Sequence, residues 1–169
     1  EAVPDASLEV LEIDLASMSS VRAFADAFQA RHDRLDVLIN NAGVMMPPFT
    51  KTEDGFELQF AANYLGHFLL TARLMDVIRA TEGSRVVSLS SIAHRRGRID
   101  FDDLQSEDGY SASDAYAQSK LACLLFAYEL QRRLEAVGDD TTISTAAHPG
   151  VATTELARHL ATLLYTVAR

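Results

Sequence analysis

The sequence predicts an α/β fold built on a parallel sheet, and three observations carry that expectation. Four short apolar or β-branched runs alternate with longer stretches of helical period. The run Leu35–Ile39 is short and apolar, as a strand covered on both faces should be. The 169 residues are 48% hydrophobic and 23% charged, the balance of one ordinary globular core, so residues 1–169 are read as part of a single domain.

Taken in order, Leu8–Ile13 reads as a first strand. Ser17 and Ser19 are candidate N-caps for a helix reaching about His32, with Val21, Phe24 and Phe28 on one face. Leu35–Ile39 is the second strand. Thr52–Ala80 reads as helical and broken near Asn63. Arg85–Leu89 is a third strand, Tyr116–Ala136 a long helix, and Ile143–Ala147 a fourth strand ended by Pro149 and Gly150. Glu155–Val167 reads as one more helix. Between them, 93–114 lacks clear periodicity. It is expected to be a surface excursion near a strand end, where open α/β sheets bind ligands.

Composition excludes several classes. No apolar run approaches a membrane span, and the first residues show no basic-then-apolar leader. A net charge of −9 offers no cationic face for nucleic acid, and the cluster Arg95, Arg96, Arg98 is followed at once by acidic residues. The lone Cys123 excludes an intramolecular disulfide and fits a reducing, cytoplasmic setting. The five His residues lack metal-ligand spacing, so no metal site is expected.

Tyr116 and Lys120 stand four apart in YAQSK, on one helix face. A nearby ammonium favours phenolate, which makes the pair a candidate acid/base; a solvated helix pair is the plain alternative. Ser90 and Ser91 follow a strand and could hold a carbonyl oxygen or merely cap a turn. A hydrolase triad is disfavoured because the glycines of a nucleophile elbow are missing around them. NNAG at 40–43 could let a flat ligand approach the backbone or form an ordinary turn. Asn63, in FAANYLGHFLL, needs a partner inside an apolar helix and points either at the site or into packing. Pro149-Gly150 turns the chain away, with Thr153 and Thr154 able to cap a helix or bond a ligand amide.

Together these motifs resemble the short-chain dehydrogenase/reductase family over about Leu8–Leu156: NNAG, the helix Asn63, Ser91, YxxxK and PG occur in the family's order. FAANYLGHFLLT, RVVSLSSIAHRRGRIDFDDL and HPGVATTEL resemble the subgroup of retinol dehydrogenases, the WW-domain oxidoreductase and protochlorophyllide reductase. The resemblance implies a partial Rossmann-type doubly wound parallel sheet, three layers α/β/α, lacking the first βαβ unit. It implies Tyr116 as general acid/base, Lys120 lowering its pKa and bonding the nicotinamide ribose, and Ser91 orienting substrate. Ser91 is preferred to Ser90 because its 25-residue separation from Tyr116 resembles the spacing in that subgroup. Asn63 would hold a relay water, Asp14 and Leu15 would meet adenine, and Asn40, Ala42 and Gly43 would line the adenosine side. Pro149 and Gly150 join the cofactor-binding set with Val151 and Thr154, which would face the nicotinamide. Tyr64 and Ala152 replace the commoner His and Val of the subgroup.

One departure is larger. The 169 residues hold no T-G-x-x-x-G-x-G turn to receive a pyrophosphate at a helix N-terminus. The chain is therefore expected to open just before the family's third strand and to end soon after PG, as the catalytic middle of an enzyme. The implied activity is hydride transfer between NADP or NAD, the subgroup's habit tilting toward NADP, and a carbonyl or alcohol. The substrate is expected to be partly apolar, from Val44, Met45, Met46, Pro47 and Phe49, which equally suit a core. Homo-oligomerisation through helices 64–80 and 116–136 stays open. The competing expectation is a non-catalytic binding or regulatory protein that keeps the scaffold.

Overall fold

The computed structural model describes residues 6–150. Ser17 opens the first helix, α1 (Met18–Gln29), by accepting the Ser20 N–H, so of the two candidate caps the earlier one is used. The helix buries Val21 and Ala25 completely. Strand β1 (Val37–Asn40) follows. Then come a single turn, α2 (Leu58–Phe60), a π-helical turn (Ala61–Leu65) and α3 (Gly66–Ala80). Strand β2 (Arg85–Leu89), a 3-10 turn (Ile92–Arg96), α4 (Ala112–Ala136) and β3 (Ile143–Ala147) complete the order.

The three strands form one parallel sheet in the order β1-β2-β3, with Val37 opposite Arg85 and Arg85 opposite Ile143. This is part of a three-layer Rossmann-type sheet. Helices α1, α3 and α4 share one core, in which Val21, Leu74, Ile78 and Leu134 close around Val86 at the sheet centre. The opposite sheet face carries Val37 and Ile39, each at least half exposed. Parallel strands normally lie covered on both faces, and the apolar character of β1 reflects that requirement.

Three elements differ from the sequence expectation. Leu8–Ile13 forms no strand, and Leu8 and Val10 are almost fully exposed. β-propensity alone does not hold a strand that has no hydrogen-bonded neighbour. Thr52–Glu57 is a turn closed by a Lys51–Glu57 bridge, so the helix begins six residues late, where the Glu57 carboxylate accepts the Phe60 N–H. The excursion 93–114 ends sooner than expected. Ser111 caps α4, which starts at Ala112, one turn before Tyr116. The strands at 85–89 and 143–147 match the sequence reading residue for residue. Glu155–Val167 lies outside the described residues.

Candidate active site

The C-terminal ends of β1 and β2 open toward the first turns of α4, and the chemistry-bearing residues collect there. Tyr116 and Lys120 occupy one face of α4, both buried, with Lys120 Nζ 5.9 Å from the centre of the Tyr116 ring. The ammonium donates to Leu89 O at 3.0 Å, at the end of β2. Burial pushes the Tyr116 phenol above its ordinary value, while the neighbouring Ser91 hydroxyl pulls it down. Burial also lowers the Lys120 ammonium. The depression of Tyr116 expected from Lys120 is thus opposed by desolvation of the same pocket.

The two serines divide. Ser90 is buried and donates to Lys120 O at 2.7 Å, which fastens β2 to α4. Ser91 is half-buried and starts the 3-10 turn by accepting the Ala93 N–H. Its hydroxyl still faces the Tyr116 phenol.

Asn63 sits in the π turn, and that turn explains its reach. A π turn widens the helix by one residue and leaves backbone groups free for other partners. The side chain of Asn63 behaves like an extra strand toward Val44. Its Oδ1 accepts the Val44 N–H at 2.8 Å and its Nδ2 donates to Val44 O at 3.0 Å. Nδ2 also reaches Ser119 Oγ at 2.9 Å, and Ser119 donates to Tyr116 O at 2.8 Å. The backbone carbonyl of Asn63 accepts from His67 Nδ1 at 2.9 Å and from Cys123 Sγ at 3.1 Å. A carbonyl has two acceptor positions. Both are engaged here.

Gly43 is where that junction has no room. A Cβ built there would stand 2.7 Å from Asn63 Oδ1 and 3.8 Å from Lys120 Nζ. Gly66 makes a comparable close approach, with Leu15 O only 2.3 Å from its virtual Cβ. The helix start at Gly66 therefore touches the Asp14–Leu15 corner. Asp14 is exposed; its Oδ1 accepts the Ala16 N–H at 2.8 Å.

Residues 1–162 match the family model described as short chain dehydrogenase. The chain belongs to the short-chain dehydrogenase family. It is 51% identical over 156 residues to mouse retinol dehydrogenase 14, covering 92% of this chain and 46% of that protein. Over 163 residues it is 52% identical to mouse polyprenol dehydrogenase, covering 94% of this chain and 48% of that protein. The chain thus spans about half the length of the curated relatives it matches. Among solved structures, an uncharacterized protein from Mycobacterium Paratuberculosis is 50% identical with a TM-score of 0.77, over 89% of this chain and 53% of the other. A Pseudomonas aeruginosa RhlG/NADP active-site complex is 25% identical with a TM-score of 0.64, over 89% and 56%.

Within this family member the structure brings Gly43, Asn63, Ser91, Tyr116 and Lys120 to one end of the sheet. Asn40 stands at the same end of the sheet, as the last residue of β1. It is buried on the helix side of β1, donating to Thr71 Oγ1 at 3.0 Å, because its position in the strand turns it toward α3. Ala42 is exposed beside the site, as are Pro149 and Gly150 after β3. Val151 and Thr154 lie outside the described residues. Among the described residues no helix is long and apolar enough to cross a membrane, and no cluster of His, Cys, Asp or Glu could hold a metal ion.

Sequence reasoning passed over Ser119, Gln118, Gln59, Glu57 and Tyr110, all polar groups that bind the site's walls together. Gln118, inside YAQSK, accepts the Asp100 N–H and donates to Leu104 O, holding the 97–111 loop on α4. A signal existed in FELQF, where Glu57 and Gln59 interrupt an apolar run. Polar residues in such a pattern read as a solvated face, yet both are fully buried.

Proposed function

We propose that this chain supplies the catalytic portion of an NAD(P)-dependent oxidoreductase that moves hydride between a nicotinamide and the carbon of a carbonyl or alcohol. The observation that carries the reading is the convergence of Tyr116, Lys120, Ser91 and Asn63 at the strand ends, each tied to the next element. The residues present fit the nicotinamide–ribose end of such a cofactor. Lys120 has three N–H donors and spends one on Leu89 O, leaving two for ribose hydroxyls. Ala42 and Gly43 leave the backbone bare for a flat group. The pyrophosphate end has no glycine-rich turn within the 169 residues.

When bound, the nicotinamide supplies or accepts the hydride. Ser91 holds the substrate oxygen through its hydroxyl. Tyr116 gives its phenolic proton to that oxygen as the carbonyl carbon is reduced, or takes the proton back in the alcohol direction. Lys120 stabilises the phenolate left behind. Asn63 keeps Val44 and Ser119 in place, and Ser119 in turn holds the Tyr116 backbone. NADP is the first cofactor to test, since the RhlG relative is an NADP complex. The substrate is taken to be partly apolar, in keeping with relatives named for retinol and polyprenol. Self-association through α3 and α4 belongs to the same reading, supported by the half-exposed Phe68 and its neighbours Tyr64 and Phe126. So does a cytoplasmic location, in keeping with the single, buried thiol of Cys123.

The decisive test joins the chain to a glycine-rich βαβ unit of the family and compares Tyr116→Phe with the parent. Turnover is expected to fall about 10²–10⁴-fold, the usual contribution of a positioned acid/base, with the unfolding midpoint kept. Near-parental turnover in Y116F refutes the role. A parent that binds cofactor yet turns over no carbonyl or alcohol favours the non-catalytic scaffold reading.

A further inference from the structure

Tyr110 lies six residues before Tyr116 and takes no part in the Asn–Ser–Tyr–Lys set. Its hydroxyl meets three residues on two segments. It accepts from Gln59 Nε2 at 2.9 Å, donates to Pro47 O at 3.0 Å, and stands 3.3 Å from Glu57 Oε1. Its ring packs on Phe49, with centroids 5.1 Å apart. Gln59 is fully buried and works at both ends of its amide. Oε1 accepts the Met46 N–H at 2.9 Å, and Nε2 also donates to Ala112 O at 2.9 Å, at the start of the catalytic helix.

The segment so held is unusual in its backbone. Met46 has φ 54, a left-handed conformation that a non-glycine residue keeps only where its surroundings impose it. Two residues earlier, the Asn63 amide fixes both backbone groups of Val44, and Gly43 borders Lys120 Nζ. Val44–Pro47 is therefore a rail that starts beside the catalytic lysine and is pinned by Asn63, Gln59 and Tyr110 in turn. Its side chains Val44, Met45 and Met46 are half-buried and apolar.

We infer that Tyr110 is a positioning residue: by bonding Pro47 and Gln59 together it fixes the Val44–Pro47 rail as an apolar wall of the site, and that wall selects substrates with an apolar tail. The substrate part of this inference rests on the oxidoreductase reading. The pinning part does not. Removing the hydroxyl frees Pro47 O and deprives Gln59 of an acceptor, which loosens its hold on Met46 while leaving Asn63 on Val44.

The test uses Tyr110→Phe, which keeps the ring against Phe49, with Phe49→Leu as a control that keeps the hydroxyl. Hydrogen exchange on the 169-residue chain is expected to show the Met46 amide exchanging about fivefold faster in Y110F, the loss of roughly one net hydrogen bond. Amides of Val44 and β2 should hold, and F49L should leave Met46 unchanged. In the chain joined to a glycine-rich unit, Y110F should raise KM about fivefold for an aldehyde with a long apolar tail. KM for a short aldehyde, and the ionisation seen in the pH profile of kcat, should stay put. Unchanged Met46 exchange overturns the inference, as does a parallel rise across β2, which would make Tyr110 a general fold residue. Equal KM changes for long and short aldehydes, or a moved pH profile, overturn the selective wall. If the parent has no turnover at all, the oxidoreductase reading fails, and Met46 exchange alone still decides whether Tyr110 pins the rail.

Discussion

Replacing Gly43 with alanine isolates the contact on which the site turns. The added methyl would lie 2.7 Å from Asn63 Oδ1, well inside ordinary contact distance. Asn63 cannot give way freely, because its amide is fully buried and held by Val44 on two sides and Ser119 on a third. Overpacking of a rigid interior costs about 1–3 kcal/mol. If the amide swings away, the Val44 N–H loses its acceptor at a cost of about 1–3 kcal/mol. Against this, alanine returns about 0.4–1 kcal/mol by restricting the unfolded chain. The expected net loss is about 1–2 kcal/mol, read from guanidinium unfolding. Asn63→Ala removes the obstructing oxygen, so Gly43→Ala made in that background should cost under about 0.5 kcal/mol. A double-mutant cycle then gives a coupling near the full single-mutant cost. Equal costs of Gly43→Ala in both backgrounds would refute the steric argument, and so would a single mutant within 0.5 kcal/mol of the parent by the same measure.

Three further outcomes follow from the site. Lys120→Met deletes the charge beside Tyr116, so the ionisation governing kcat should move to higher pH and cofactor affinity should weaken; a pH–rate profile of the joined protein checks both. Burial raises the Glu57 carboxyl above its ordinary value, with Tyr110 as its titratable neighbour. A group whose folded pKa is raised stabilises the fold below its unfolded pKa and loses that contribution as pH rises through the folded one. Stability of Glu57→Gln relative to the parent should therefore grow from pH 4.5 upward, measured by unfolding across pH. The 169-residue chain alone should bind NAD and NADP poorly, since it has no glycine-rich turn for the pyrophosphate and carries net charge −9. Low-micromolar binding by titration calorimetry would contradict that.

What the sequence made legible follows from what each feature needs. Strands 85–89 and 143–147 were readable because β-branched runs bounded by polar turns carry their own signal. Tyr116 and Lys120 were readable because a helix fixes the relation of i and i+4. Leu8–Ile13 has the same local signal as the other strands, but a strand also needs neighbours, which no local pattern encodes. Asn63 was visible as a misplaced amide in an apolar run. Its partner Val44 was not, because a backbone acceptor has no signature in the side-chain sequence. Tyr110 and Gln59 were invisible for a related reason: their partners are 63 and 51 residues away in the chain.

The π turn at Ala61–Leu65 also makes chain length itself a determinant of the site. It holds one residue more than a regular helical turn would need between α2 and α3. Deleting any one residue in it would allow a continuous α-helix, a locally more regular structure. A π turn absorbs its extra residue locally, so the segments before and after it would keep nearly their present facing and the change would fall on the turn itself. Asn63 would lose the widened backbone from which it reaches Val44 and Ser119, although Gln59 would keep the Met46 amide and Tyr110.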